Sequence, residues 1–388
     1  ARAVEKILGP SFESGIIVVK YGCGGKLEKT KVLEAGHPEP DQAGVESTQC
    51  IVNFLQKNVT SVDLLFVVIS GGGSALLTAP VSEISLKEKR VTTRLLIRSG
   101  ATIQEINAVR KHLSRVKGGK LLEYAKNTQT ISLLLSDVVG DDLTSIASGP
   151  TSPDPTTFEK SLRILWKYKI ENQTPRTVLQ YLRSGLDIKS STKETPKPGD
   201  PLFQKVQNII VGNNIIALKA AAEKARALGF SPLILSSSIV GNTLETAQFH
   251  VSITKEILLS GHPITPPCCL ISGGETTVQV IGDGKGGRNQ EFVLHCAREI
   301  SDWQHSPVLF ASLGSDGEDG PTDVAGAIAT PNTVRRANSQ ALSIDDFLKR
   351  NDSYHFFQKL RDQIITGSTK TNVMDLRFVL IGEDRPKT

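Results

Sequence analysis

No apolar run in this sequence is long enough to cross a bilayer; Leu64 to Ile69 is typical of the longest. Ala1 to Leu8 reads as an amphipathic helix rather than a targeting signal. A cytoplasmic protein is therefore expected, with a mitochondrial form left open. Cysteines number five, include the adjacent Cys268-Cys269 and nowhere form C-x-x-C, so neither structural disulfides nor a zinc site is expected. Histidines such as His37 and His295 lack metal-ligand spacing. G-x-x-x-x-G-K-[ST] is absent, which excludes a P-loop. Charge of one sign is also lacking: the net charge is +5 and the cations are scattered, so no nucleic-acid groove or polybasic membrane patch is implied. No repeat of fixed period is present.

What is there is an ordinary globular composition, 39% hydrophobic and 22% charged over 388 residues, enough for two domains with their own cores. Short β-rich runs recur at residues 16–19, 64–69, 131–135, 209–211, 233–235, 268–271 and 308–313, with helical patterns between most of them. Asn214 to Leu228, closed by Gly229, and Thr243 to Leu259, opened by Asn242 and closed by Gly261, are two such helices. This alternation predicts an α/β protein with mostly parallel sheets. Ser184 to Pro201, crowded with Ser, Thr, Lys, Pro and Gly, reads as a hydrophilic linker near a domain boundary.

The richest stretch is Gly282-Asp283-Gly284-Lys285-Gly286-Gly287-Arg288-Asn289. Thr276 to Ile281 alternates and reads as a strand, while Asn289 to Ile300 carries helical spacing. A strand, a glycine turn and a helix N-terminus in that order suit an anion, with Lys285 and Arg288 as counter-charge. Gly282, Gly284 and Gly287 also satisfy the dinucleotide fingerprint G-x-G-x-x-G, which keeps an NAD(P)H enzyme in view. Ser70-Gly71-Gly72-Gly73-Ser74 follows a strand and forms a second candidate cradle. Asp137, with Asp141 and Asp142 close behind, and the acid-rich loop Asp316 to Asp323, which includes Asp319, lie beyond strands where carboxylates can hold Mg²⁺ or accept a proton. Glu105 to Gly119 is a basic helical stretch from which Asn107, Arg110, Lys111 and Lys117 could reach an anion.

Several of these segments occur in one order that resembles the glycerate 2-kinases ending in a MOFRL domain. The resemblance spans nearly the whole chain. It rests on Ala35-Gly36-His37-Pro38, Ile69 to Leu77, Ile106 to Ser114, Leu135 to Asp142 and Ile146 to Thr151. Ser272 to Thr277, Gly286 to Glu291, Asp316 to Asp323 and Thr371 to Asp375 continue it. The resemblance implies two α/β domains with the active site in the interdomain cleft. Residues 1–200 would form a Rossmann-like N-terminal three-layer sandwich, and 201–388 a C-terminal α/β region whose MOFRL domain begins near 267. It implies ATP-dependent phosphorylation of D-glycerate at the 2-hydroxyl with Mg²⁺, by a protein for which a homodimer is one option. Members of the family carry, upstream of the helix that opens here at Ala1, a strand and Gly-Lys-Ala turn whose lysine is thought catalytic, so such a segment is expected ahead of Ala1.

Within that frame Arg288 is expected to pair with transferring phosphoryl oxygens, and Asp316 to hold metal or accept the hydroxyl proton. Asp137 and Asp319 are the other expected metal ligands. Ser70 to Ser74, Asn107, Arg110, Lys117, Glu275, Lys285, Gly287 and Asn289 are expected around glycerate and ATP. A hydroxypyruvate reductase and a non-catalytic binding protein stand as the alternatives.

Overall fold

The computed structural model describes residues 1–383 and divides into two compact units, each considered by itself. Unit 1 comprises residues 1–135 and 141–211, and unit 2 comprises 136–140 and the chain from Gly212.

Unit 1 contains β1 (Gly15–Lys20), β2 (Thr30–Ala35), β3 (Leu64–Ile69), β4 (Gln129–Leu135) and most of β5 (Val206–Gly212). β1 and β2 pair in parallel, as do β3 and β4, and β5 joins β4 on its other edge. Local chemistry sets the helix starts. Ser85 and Thr102 each close a reciprocal cap with Glu88 and Glu105, opening the helices Leu86–Arg98 and Ile103–His112. The latter stops before Gly118 and Gly119, which both take positive φ, and a Cβ on Gly119 would stand 2.6 Å from the Phe203 ring. Leu96, Val109, Leu113, Phe158, Leu165 and Val178 fuse these helices into one core. Each such side chain contributes about 1.5–3 kcal/mol when fully buried.

Ser184 to Pro201 does not behave as a free linker. Glu194 accepts from His112 Nε2 at 2.7 Å and from Phe158 N at 3.1 Å, and buried Thr195 donates to Asp154 at 3.1 Å. Most of the segment is exposed, as a hydrophilic loop should be, but Glu194 and Thr195 supply partners to buried polar groups of unit 1.

Unit 2 holds β6 (Ser231–Asn242), β7 (Cys268–Thr277), β8 (Val308–Gly314), β9 (Gly326–Ala329), β10 (Gln363–Ile364) and β11 (Asp375–Ile381). They form one sheet in the order β10-β9-β8-β11-β7-β6. Here the expectation of mostly parallel pairing fails. Only β6 and β7 run parallel; β11 lies antiparallel to both β7 and β8, and β9 is antiparallel to β8 and β10. Residues 315–325, with no helix among them, link β8 to β9, and a connection without a crossover helix suits antiparallel strands. The expected helices appear as Asn214–Ala227, capped by Asn213, and Thr243–Ser260, capped by Asn242. The helix Arg288–Glu299 is buried on every side from Asn289 to Ala297, and its Phe292 shares a core with Phe310, Phe356 and Val379.

Candidate functional site

The glycine stretch of unit 2 differs from its reading in sequence. β7 ends at Thr277, and Val280 and Ile281 are exposed in irregular chain, so the strand expected over 276–281 is displaced toward the N-terminus. Beyond it the backbone is clasped by residues 350–354. Ile281 N and Gly282 N both donate to Asn351 Oδ1 at 2.9 Å, Gly284 N to Arg350 O at 2.8 Å and Lys285 N to Asp352 Oδ1 at 3.0 Å. A Cβ on Gly282 or Gly284 would stand 2.4 or 2.5 Å from Arg350 O. These glycines permit close approach of two backbones, and their N–H groups are not left for a dinucleotide.

An anion does sit at the following helix N-terminus, but the chain itself supplies it. Asp319 Oδ1 accepts from Asn289 N at 2.9 Å and Asn289 Nδ2 at 3.2 Å; Oδ2 accepts from Gln290 N and Gln290 Nε2, both at 2.9 Å. A carboxylate has about four acceptor sites, and all are engaged. Burial pushes the Asp319 carboxyl above its ordinary range, while these donors favour its anion. Its expected role as a metal ligand is therefore replaced by that of a helix cap. Gly287 belongs to the same contact, since a Cβ there would lie 2.3 Å from Asp319 Cγ.

Arg288 opens the helix and is held in a fixed pose. Its Nε donates to Asp375 Oδ2 at 2.7 Å, and its Nη1 lies 2.8 Å from Glu275 Oε1. Asp375, fully buried at the start of β11, also accepts from Asn289 Nδ2 at 2.9 Å and from buried Arg377 Nη2 at 3.2 Å. Its ladder partners on the two sides are Gly274 and Gly314. Burial opposes the charge on Arg288, but Asp375 and Glu275 outweigh it and hold the guanidinium more firmly protonated than usual. Asn289 is a buried brace rather than a ligand-facing wall: its Oδ1 accepts from Ser312 Oγ at 2.5 Å. Asp375 closes the motif Thr371 to Asp375, in which no local pattern marks it for a role.

Burial raises the Glu275 carboxyl; Arg288 opposes that shift, and Asp375, Asp137 and Asp316 add to it. Arg288 and three further carboxylates thus act on Glu275. Asp316 Oδ1 accepts from Glu318 N at 3.1 Å, and the residue is partly exposed. Among the described residues no three His, Cys, Asp or Glu side chains converge as a metal cage. Asp137 and Asp316 are hard oxygen donors, the ligand type that suits Mg²⁺. Lys285 stands with other groups: its Nζ lies 4.0 Å over the Tyr354 ring and 4.0 Å from Asp323 Oδ1.

In unit 1, Gly72 takes φ 82° where β3 turns into the short helix Gly73–Leu76. A Cβ there would meet His37 Cδ2 at 2.9 Å. Ser74 Oγ and Ser148 Oγ lie 2.8 Å apart, and Ser148 Oγ donates to Asn107 Oδ1 at 3.1 Å. Lys117 Nζ donates to Ser74 O at 2.9 Å, with Ser74 Oγ and Ala147 O at 3.3 Å. Asn107 and Lys117 therefore bind the loop 70–74 to 145–149, and burial drives the Lys117 ammonium well below its ordinary range. Beside this brace lies a cavity of about 270 Å³ lined by His37, Gly72, Ser74, Lys89, Arg110 and Lys117 among others. Lys89 escaped the sequence reading. The signal available was its place on the buried stripe Lys89, Thr92, Leu96 of an otherwise basic helix.

Comparison with known proteins defines the class first. Residues 1–183 match the family described as Domain of unknown function (DUF4147), and residues 268–375 match the MOFRL family, so this is a mixed α/β protein with those two regions. Over 392 residues the chain is 42% identical to the glycerate 2-kinase of Pyrococcus horikoshii, covering 100% of this chain and 86% of that protein. It is 36% identical over 436 residues to human glycerate kinase, covering 98% and 82%. A crystal structure of glycerate kinase from Thermotoga maritima superposes with a TM-score of 0.90 at 38% identity, covering 98% of this chain and 88% of that one. The chain belongs to the DUF4147/MOFRL family of glycerate 2-kinases.

Proposed function

We infer that the protein transfers the γ-phosphoryl group of ATP to the 2-hydroxyl of D-glycerate, giving 2-phosphoglycerate and ADP. The observation that carries the chemistry is the Arg288 guanidinium, anchored at Nε by buried Asp375 and at Nη1 by Glu275. A guanidinium has five N–H donors, so those left over can meet phosphoryl oxygens. Phosphoryl transfer asks the protein mainly to position groups and stabilise spread charge, which suits a pre-oriented cation.

In this reading the bond between the γ-phosphorus and the β,γ-bridging oxygen breaks as one forms to the glycerate 2-oxygen. Asp316 takes the hydroxyl proton, and ADP leaves with the bridging oxygen. Asp137 and Asp316 would hold Mg²⁺, which supplies charge neutralisation on the phosphates when bound. Arg288 keeps its orientation because Asp375 and Glu275 fix two of its nitrogens. In unit 1, Ser70 to Ser74 and Arg110 form the wall that receives an anionic reactant, and Asn107 and Lys117 keep that wall rigid. The parallel β1–β2 and β3–β4 pairs with their helices are the parts of a Rossmann-like three-layer sandwich.

The test gives the complete protein D-glycerate, ATP and Mg²⁺ while ADP is followed, and hydroxypyruvate with NADH in parallel. ADP release without NADH oxidation, and a ³¹P spectrum of 2-phosphoglycerate, are expected. Arg288→Ala should lower turnover about 10²- to 10³-fold; near-parental turnover would remove Arg288 from the reaction.

A further inference from the structure

We propose that Lys89, together with Arg110, is the seat of the glycerate carboxylate within the unit 1 cavity, an inference that rests on the kinase reading above. The cations around this cavity differ in what they already hold. Lys117 donates to Ser74 and Ala147, and Arg90 and Arg94 pair with Glu39. Lys89 is 4% exposed, and its Nζ has no hydrogen-bond partner in the protein. Arg110 makes no ion pair among the described residues, although it is mostly buried. Burial, aided by the fields of Arg110 and Lys120, lowers the Lys89 ammonium to about 7. An ammonium withdrawn from water without a counter-charge is costly, and a carboxylate placed between Lys89 and Arg110 would relieve both. Lysine's flexible stem lets the ammonium swing onto such a ligand.

The lining suits a small hydroxy acid, and the cavity, of about 270 Å³, has room for three carbons and their oxygens. Ser74, Thr78, Thr93 and His37 also line the cavity and offer polar partners to the two hydroxyls of glycerate.

Calorimetry with D-glycerate and with its uncharged carboxamide, on the parental protein and Lys89→Met, tests this. The parental protein should prefer the acid by about 100-fold, and Lys89→Met, which leaves Arg110 in place, should cut that preference to about 10-fold or less while raising the KM for glycerate and leaving the KM for ATP within about twofold. An intact preference in the variant, or a rise confined to the KM for ATP, would overturn the assignment. So would failure of the parental protein to bind D-glycerate. Should Lys89→Met not fold, Arg110→Gln is read in the same way. Parental ADP release is scored separately, so loss of the kinase reading is not confused with loss of the Lys89 seat.

Discussion

At the scale of residues, the position of Arg288 is decided by a partner 87 positions away in the chain. Asp375 lies between two arginines and an asparagine amide, and no local feature of Thr371 to Asp375 announces that arrangement. Asp375→Asn removes the only carboxylate bonded to buried Arg377 among the described residues. Breaking a buried pair on one side costs about 3–5 kcal/mol, so the urea midpoint should fall accordingly. Turnover should fall about 10- to 100-fold with the KM for glycerate little changed, because the loss acts through the orientation of Arg288. A stability loss with parental turnover in the folded fraction would leave Asp375 a purely structural group. Asp319 and Lys89 mark the same limit of sequence reading from opposite sides. A carboxylate in a glycine-rich acidic loop reads as a ligand, yet four N–H donors from residues 289 and 290 consume it. A lysine in a basic helix reads as solvated, yet it faces inward.

Among elements, helices and strands with local punctuation were legible. Asn242 caps the helix whose start it suggested, and the apolar runs fall inside β1 and β3 to β8. Elements defined by distant partners were not. The purpose of Gly282 and Gly284 is set by the backbone of Arg350, and that of Ser184 to Pro201 by His112, Phe158 and Asp154. The latter contact carries a pH signature. Burial favours the neutral Glu194 carboxyl, but the hydrogen bond and field of His112, with the N–H groups of Thr195 and Phe158, prevail and hold it at about 2. A folded-state value below the ordinary 4.5 stabilises the fold above that pH, and the contribution is lost as pH falls from about 4.5 toward 2. Urea midpoints of the parental protein and Glu194→Gln should therefore differ most near neutral pH and converge on acidification. A gap that widened in acid would contradict the His112 contact as its source.

For the whole molecule, alternation of strand and helix announced a mixed α/β protein but not the mixed sheet of unit 2. Periodicity tells which face of a strand is buried; it does not tell which neighbours the strand chooses. β11 takes the place between β7 and β8, pairing along its full length with each. Ending the chain after Met374 should thus do more than trim an edge. Such a protein is expected to lose cooperative unfolding of unit 2 and protease resistance across β7 and β8, together with kinase turnover. Retained resistance there would mean that β7 and β8 hold without the strand between them.

The same placement orders events at the ribosome. β11 is made after every other strand of its sheet, so β7 and β8 leave the exit tunnel with facing edges unpaired. They remain so while nearly 70 further residues emerge, about 3–13 s at 5–20 residues per second. Those edges need shielding during synthesis, and the Arg288 pose cannot exist on a nascent chain until Asp375 has arrived to complete it.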